Sequence, residues 1–261
     1  MNNQNIAIIG CGNLGESIVN GLLDNASDIY SIHVTRRNTD QLQSLSDRGV
    51  EISNDNVKAT SGASIILLAV KPFNVLTILN DIKEALAGKT LVSLATGVSI
   101  DELKSYVGSD VHVLRAMPNT ATDVKESVTC ICSSAEDEQT RSVKELFNYL
   151  GITLEIDEEL MDSATILGAC GIAYTLRFIR AMIQGGIEIG FSAKTAGAIV
   201  NQTVKGAAEL LIERGHHPEF EIDKVTTPKG CTIVGLNEME HNGFSSSLIK
   251  GIVTSYEKIN S

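Results

Sequence analysis

Three segments of this 261-residue chain carry residue types at spacings that could do chemistry. The first is Gly10-Cys11-Gly12-Asn13-Leu14-Gly15, directly after the apolar run Ile6–Ile9 and directly before an amphipathic segment. In a G-x-G-x-x-G turn the first glycine makes the bend, the second admits a pyrophosphate, and the third lets helix and strand pack closely. The phosphates would rest on the free N–H groups that open the following helix, at Asn13 and Leu14. A glycine-rich turn that holds nothing is the plainer alternative.

The second segment is His33-Val34-Thr35-Arg36-Arg37-Asn38. A carboxylate at this point would bind the ribose hydroxyls of NAD, and none occurs before Asp40. The hydroxyl of Thr35 and the guanidinium groups of Arg36 and Arg37 suit a 2′-phosphate instead, which points to NADP. A solvated arginine pair would look the same. The third segment is Lys229-Gly230-Cys231-Thr232, before a helical pattern that starts at Ile233. A helix start of this kind attracts anions, and Thr232 has the side chain of an N-cap.

The elements that must position these segments fall into two textures. Apolar, β-branched runs recur at Ile6–Ile9, Ile32–Thr35, Ile65–Val70, Thr90–Leu94, Val111–Leu114, Val128–Ile131 and Ile152–Ile156. Helical spacing fills Leu14–Leu23, Thr39–Arg48, Leu76–Leu86 and Asp137–Leu150 between them. Strands joined by crossover helices pair in parallel, so residues 1–156 read as a Rossmann-like doubly wound α/β domain whose later strands can run differently. Residues 157–261 read as an all-α domain, with patterns at Met161–Gly190, Ala193–Glu213, Thr232–His241 and Ser246–Ile259. Small residues such as Gly185-Gly186 allow helices to approach closely there, which suits a dimerisation surface.

A formal charge of -11 opposes nucleic-acid binding, since phosphate neutralisation needs lysine and arginine. The five cysteines form no Cys-x-x-Cys pair and, with the five histidines, no zinc-ligand spacing, so no metal is expected and the thiols read as buried and reduced. The opening Met-Asn-Asn-Gln-Asn has no basic region, and no uninterrupted apolar run reaches the roughly 18 residues of a membrane span. These features point to the cytoplasm and away from a membrane.

Four segments, in order and in register, resemble the pyrroline-5-carboxylate reductase family: Ile8–Gly15, Leu68-Ala69-Val70-Lys71-Pro72, Arg115-Ala116-Met117-Pro118-Asn119-Thr120 and Val225–Leu236. The resemblance implies reduction of 1-pyrroline-5-carboxylate, a small cyclic imine, to L-proline by NADPH in a homodimer or a ring of dimers. It implies cofactor contacts from Ala69, Val70, Lys71, Ala95, Asn119 and, beside the adenosine ribose, Asn56. It also implies that Lys229, Gly230 and Cys231 hold the substrate carboxylate and that the Thr232 hydroxyl lies near the ring nitrogen as the catalytic group. Asn119 could equally organise its own turn, and Lys229 could face solvent.

The chain departs from the family pattern in three places. Lys229 stands at the first of two glycines, Cys231 at a common threonine, and Gly168-Ala169-Cys170-Gly171-Ile172-Ala173-Tyr174 replaces a Ser-Gly-Ser-Gly-Pro-Ala-Tyr run. His216-His217 reads as a helix-end pair that meets terminal carbonyls. Two other readings fit the motifs: a two-domain NADPH-dependent reductase of another imine or of a 2-oxo or 3-hydroxy acid, and a catalytically silent NADPH-binding regulator.

Overall fold

The computed structural model describes residues 4–135 and 137–259; the leader reading at Met1–Asn3 lies outside them. In chain order the elements are β1 (Gln4–Ile9), α1 (Asn13–Asn25), β2 (Tyr30–Thr35), α2 (Gln43–Ser46), β3 (Glu51–Ser53), α3 (Asn56–Gly62) and β4 (Ile65–Leu68). Then follow α4 (Val75–Ile82), β5 (Thr90–Ser93), α5 (Ile100–Val107), β6 (His112–Met117), β7 (Ser127–Ser133), α6 (Glu138–Asn148) and β8 (Gly151–Glu155). The helices α7 (Met161–Ala164), α8 (Gly171–Glu188), α9 (Ala193–Arg214), α10 (Pro218–Val225), α11 (Cys231–His241) and α12 (Phe244–Ile259) complete it.

One eight-stranded sheet has the order β3-β2-β1-β4-β5-β6-β7-β8. All pairs are parallel except β6 with β7. Strand order reverses between β1 and β4, and open α/β sheets bind ligands outside the carboxyl ends of the strands at such a point. Side chains alternate across the sheet. Ile6 and Ile8 therefore join Ile18, Leu22, Leu146 and Phe147 in one core layer, while Ala7 and Ile9 join Leu79, Ile82 and Leu103 in the other. Burial on both faces explains why β1 and β4 read as unbroken apolar runs.

The chain forms one compact unit up to Cys170 and a second over Gly171–Lys258. Residues 157–170 pack with the sheet because Met161 is buried in the second core layer and Glu158 is held by Arg115 at 3.0 Å and by the Ile100 amide at 2.7 Å. Residues Thr165–Cys170 form a π-helical turn, a form that leaves the α-helical hydrogen-bond ladder out of step and often marks functional sites.

The second unit has little core of its own: only Ala196 and Val200 are buried among its described residues. Gly186 lets α8 meet α9, since a Cβ there would lie 3.1 Å from that of Ala196. Tyr174 donates to Ser255 across α8 and α12 at 2.8 Å. Leu176, Ile187, Ile189, Ile199, Leu210 and Ile212 stay exposed, an apolar surface too extensive for a lone soluble unit. The helical run Glu158–Glu188 is long and apolar enough to cross a membrane by length and composition alone. Arg177 and Arg180 interrupt the run, so no uninterrupted apolar stretch of that length occurs within it.

Candidate functional site

The glycine turn forms at the carboxyl end of β1, where Gly10 and Cys11 both donate to the Thr35 carbonyl, at 3.1 and 2.8 Å. Gly10 has φ +87°, and a Cβ on it would fall 2.3 Å from Val70 Cγ1 and 2.9 Å from the Ala69 carbonyl oxygen. Ala69, whose amide bonds the Ile9 carbonyl at 2.8 Å, thus seals the β1–β4 crevice from below. A Cβ at Gly12 would meet nothing within 4 Å, and α1 has no side-chain N-cap. Open space above uncapped helix amides is what a pyrophosphate needs, so the turn fits a dinucleotide. The third glycine is less demanding: a Cβ at Gly15 would make ordinary contacts with Cys11 Sγ at 3.4 Å and Ile8 Cγ2 at 3.5 Å.

At the end of β2 the three residues expected to meet a 2′-phosphate part company. The Thr35 hydroxyl is buried and occupied, donating to Asn56 Oδ1 at 2.7 Å and lying 3.4 Å from the Gly10 amide. Arg36 forms an ion pair with Glu16 of α1 at 2.6 Å. Arg37 is exposed. Asn56 opens α3, and its Nδ2 makes no hydrogen bond among the described residues, which leaves a donor beside the β2 end.

Lys71 is exposed after β4, and Ala95 is buried after β5. Asn119 is 5% exposed, and its groups are spent within the chain. Its backbone amide donates to Ser127 Oγ at 3.2 Å, its Oδ1 accepts from the Ala121 amide at 2.9 Å, and its Nδ2 donates to the Gly168 carbonyl at 3.2 Å in the π turn. The geometry gives Asn119 the turn-organising part and ties the end of β6 to the segment that departs from the family pattern.

In the second unit, Thr227-Pro228-Lys229-Gly230 closes with the Gly230 amide on the Thr227 carbonyl at 2.9 Å. Proline at the second place and positive φ at the third is the pattern of a type II turn. Lys229 holds φ +58°, which explains why glycine suits that position. Lys229→Gly is expected to raise stability by up to about 1 kcal/mol, the left-handed penalty of ~1–2 kcal/mol less the entropy of a freer chain; urea unfolding measures it. The N-cap of α11 is Gly230, without a side-chain bond, and Thr232 is the second residue inside the helix. The N-cap role for Thr232 is therefore corrected: glycine's extended φ of -72° and ψ of 159° ends the turn one residue after Lys229. The amides of Cys231 and Thr232 are left to an outside acceptor.

His216 has the carboxylate partner that the sequence reading missed. Glu221, five residues on, lies 2.6 Å from its Nδ1, and hydrogen bonds from His216 and Lys224 hold that carboxyl down at about 2. His217 caps α10, accepting from the Glu219 amide at 3.3 Å. Cys11 and Cys132 are buried as expected, whereas Cys231 is exposed on the first turn of α11. A cavity of about 620 Å³ at the β7–β8 edge, lined by Asp101, Cys132, Glu155 and Glu158, contains none of the expected site residues. No cluster of metal-binding side chains occurs among the described residues.

A family model described as NADP oxidoreductase coenzyme F420-dependent matches residues 5–97, and one described as pyrroline-5-carboxylate reductase dimerisation matches residues 158–261. The chain is 43% identical to pyrroline-5-carboxylate reductase 1 of Dictyostelium discoideum over 97% of its own length, though it spans only 49% of that relative. It is also 43% identical to pyrroline-5-carboxylate reductase 2 of the same organism, over 98% of this chain and 92% of the relative. A crystal structure of Plasmodium falciparum pyrroline carboxylate reductase with NADP bound superposes with a TM-score of 0.90 at 29% identity, covering 99% of this chain and 98% of that one.

A doubly wound sheet with an open phosphate cradle and a helical second unit defines the class: a two-domain NAD(P)H-dependent oxidoreductase. Within it, the chain belongs to the pyrroline-5-carboxylate reductase family.

Proposed function

We propose that this chain reduces 1-pyrroline-5-carboxylate to L-proline with NADPH, the last step of proline biosynthesis. Family membership over 98% of the chain carries the reading. The α1 amides and Gly12 receive the pyrophosphate, with Ala69, Val70, Lys71 and Ala95 as the floor under the ribose and nicotinamide and Asn56 Nδ2 as a ribose donor. When bound, the nicotinamide supplies a hydride. The α11 amides at Cys231 and Thr232, opened by Gly230, take the substrate carboxylate, with Lys229 adding positive charge nearby. Thr232 lies behind the Gly230 N-cap and does not cap α11, so its hydroxyl is left to meet the ring nitrogen. The iminium carbon takes the hydride, the C=N double bond becomes single, and its electron pair stays on nitrogen as the amine of proline. A substrate protonated in solution asks no acid–base relay of the protein.

The exposed apolar helices of the second unit serve subunit contact, as the match to a dimerisation model supports. The working form is a homo-oligomer, built of dimers, in which the run Glu158–Glu188 meets another protein surface rather than lipid. The free, partly buried thiols fit a reducing cytoplasm. Light scattering on the whole chain is expected to give a dimer or a multiple of it, and a fully active monomer refutes the shared-helix assembly. Loss of NADPH absorbance with 1-pyrroline-5-carboxylate, but not with 2-oxo acids or without substrate, tests the reaction. Oxidation with the 2-oxo acids instead selects the other reductase reading, and no oxidation at all selects the silent NADPH-binding regulator.

A further inference from the structure

We infer that Glu16 commits Arg36 to neutralising the first turn of α1, which leaves Arg37 as the arginine that meets the 2′-phosphate and selects NADPH. The inference rests on the NADPH reading above and gives the two adjacent arginines different parts.

The division follows from strand alternation. Ile32 and Val34 face the core layer that contains Ile18 and Leu22 of α1, and Thr35 faces away, toward Asn56 on α3. Arg36, one residue on, returns to the α1 side. There Glu16 meets it, Nη1 to Oε1 at 2.6 Å, with both side chains about a third exposed or less, at 28% and 35%. The Arg36 backbone amide is pinned too, on the Ser53 carbonyl at 3.2 Å. Arg37 lies beyond this anchor, exposed, and has no hydrogen bond or ion pair among the described residues.

Glu16 also explains why Arg36 is committed. It sits in the first turn of α1, the turn whose amides receive the pyrophosphate. An unpaired carboxylate there repels the dinucleotide, and the Arg36 guanidinium cancels it. Burial pushes the Cys11 thiol up to about 12, and the thiol feels both Glu16 and Arg36, which places the pair against the glycine turn. Turning Arg36 to a 2′-phosphate would uncover Glu16 beside two phosphate groups. Arg37 has no such obligation.

The test measures Kd for NADPH and NADH on the full-length protein, by fluorescence of the reduced nicotinamide. Arg37→Ala is expected to weaken NADPH by about tenfold or more with little change for NADH, as loss of a charge-assisted hydrogen bond requires. Arg36→Ala is expected to weaken both cofactors by a similar factor, because it uncovers Glu16. Adding Glu16→Gln to Arg36→Ala is expected to restore most of the loss for both, a rescue that a merely structural pair does not give. A selective loss of NADPH in Arg36→Ala, or failure of the rescue, overturns the role of Glu16. If neither arginine variant changes the ratio of the two constants, the NADPH reading itself fails.

Discussion

Gly10→Ala is expected to raise the Kd for NADPH and NADH together by about 10² or more, because a misplaced reacting or binding group of about 1 Å commonly costs that much. Two separate physical demands converge on this residue. Its φ of +87° lies where an L side chain is strained, at roughly 1–2 kcal/mol. The added methyl also lands 2.3 Å from Val70 Cγ1 and 2.9 Å from the Ala69 carbonyl oxygen. The Val70 side chain can rotate, but the Ala69 carbonyl is backbone just past β4, tied to β1 through the Ala69 amide on the Ile9 carbonyl, and cannot. Relief must come from the turn, which carries the start of α1 with it. Overpacking of this kind costs about 1–3 kcal/mol in stability, so a lower melting temperature accompanies the lost binding. Gly15→Ala is the control, since its methyl would make only ordinary contacts at 3.4 and 3.5 Å. Fluorescence titration of both variants decides the matter, and a Gly10→Ala protein within threefold of the parent sinks the account.

The elements that position this turn were legible because their signals are long and apolar. Seven of the eight strands fall on β-branched runs, including β7, which runs antiparallel. The missed strand, β3, is Glu-Ile-Ser at the sheet edge, three residues with no apolar run to declare it. The helices α3, α5 and α10 were also missed. They have seven or eight residues each, which leaves barely two turns for a 3.6-residue period to show. Capping residues give them away instead: Asp55, Ser99 and His217 each accept a backbone N–H at the helix start.

The site was legible in its backbone and less so in its side chains. Glycine spacing and a proline turn dictate local geometry, so Gly10 takes the positive φ of the bend, Gly12 opens α1 and Gly230 caps α11. Thr35, Arg36 and Asn119 read as ligands by position, yet each is engaged by a residue distant in sequence: Asn56, Glu16 and Gly168. Periodicity cannot reveal such pairings, because they depend on which helix lies over which strand end. The expected boundary at residue 156 marks the last strand, whereas the compact unit runs on to Cys170. The glutamate that holds that extension, Glu158, looks like any surface carboxylate until Arg115 is found beneath it.

Thr232→Val is expected to lower kcat by about tenfold while leaving stability unchanged. The proposal puts the Thr232 hydroxyl on the substrate ring nitrogen, and one hydrogen bond of roughly 1 kcal/mol corresponds to somewhat under a tenfold change. A positioned proton donor is worth more, typically about 10²–10⁴-fold. The smaller figure is expected because an iminium reaches the site already protonated, so the hydroxyl orients rather than delivers. The position of Thr232 makes the experiment clean. It is the second residue of α11, behind the Gly230 N-cap, and caps nothing. Valine matches threonine in shape and lies close to it in helix propensity, so unfolding by urea should not distinguish the two proteins. Thr232→Ser keeps the hydroxyl and should keep turnover near that of the parent. The substrate KM should move little in either variant, since the carboxylate is assigned to the Cys231 and Thr232 amides, which both substitutions preserve. Turnover of Thr232→Val within twofold of the parent removes the hydroxyl from the reaction, and the site is then a carboxylate cradle that only aligns the imine for hydride transfer. A drop beyond about 10² instead makes the hydroxyl the route by which the ring nitrogen is protonated.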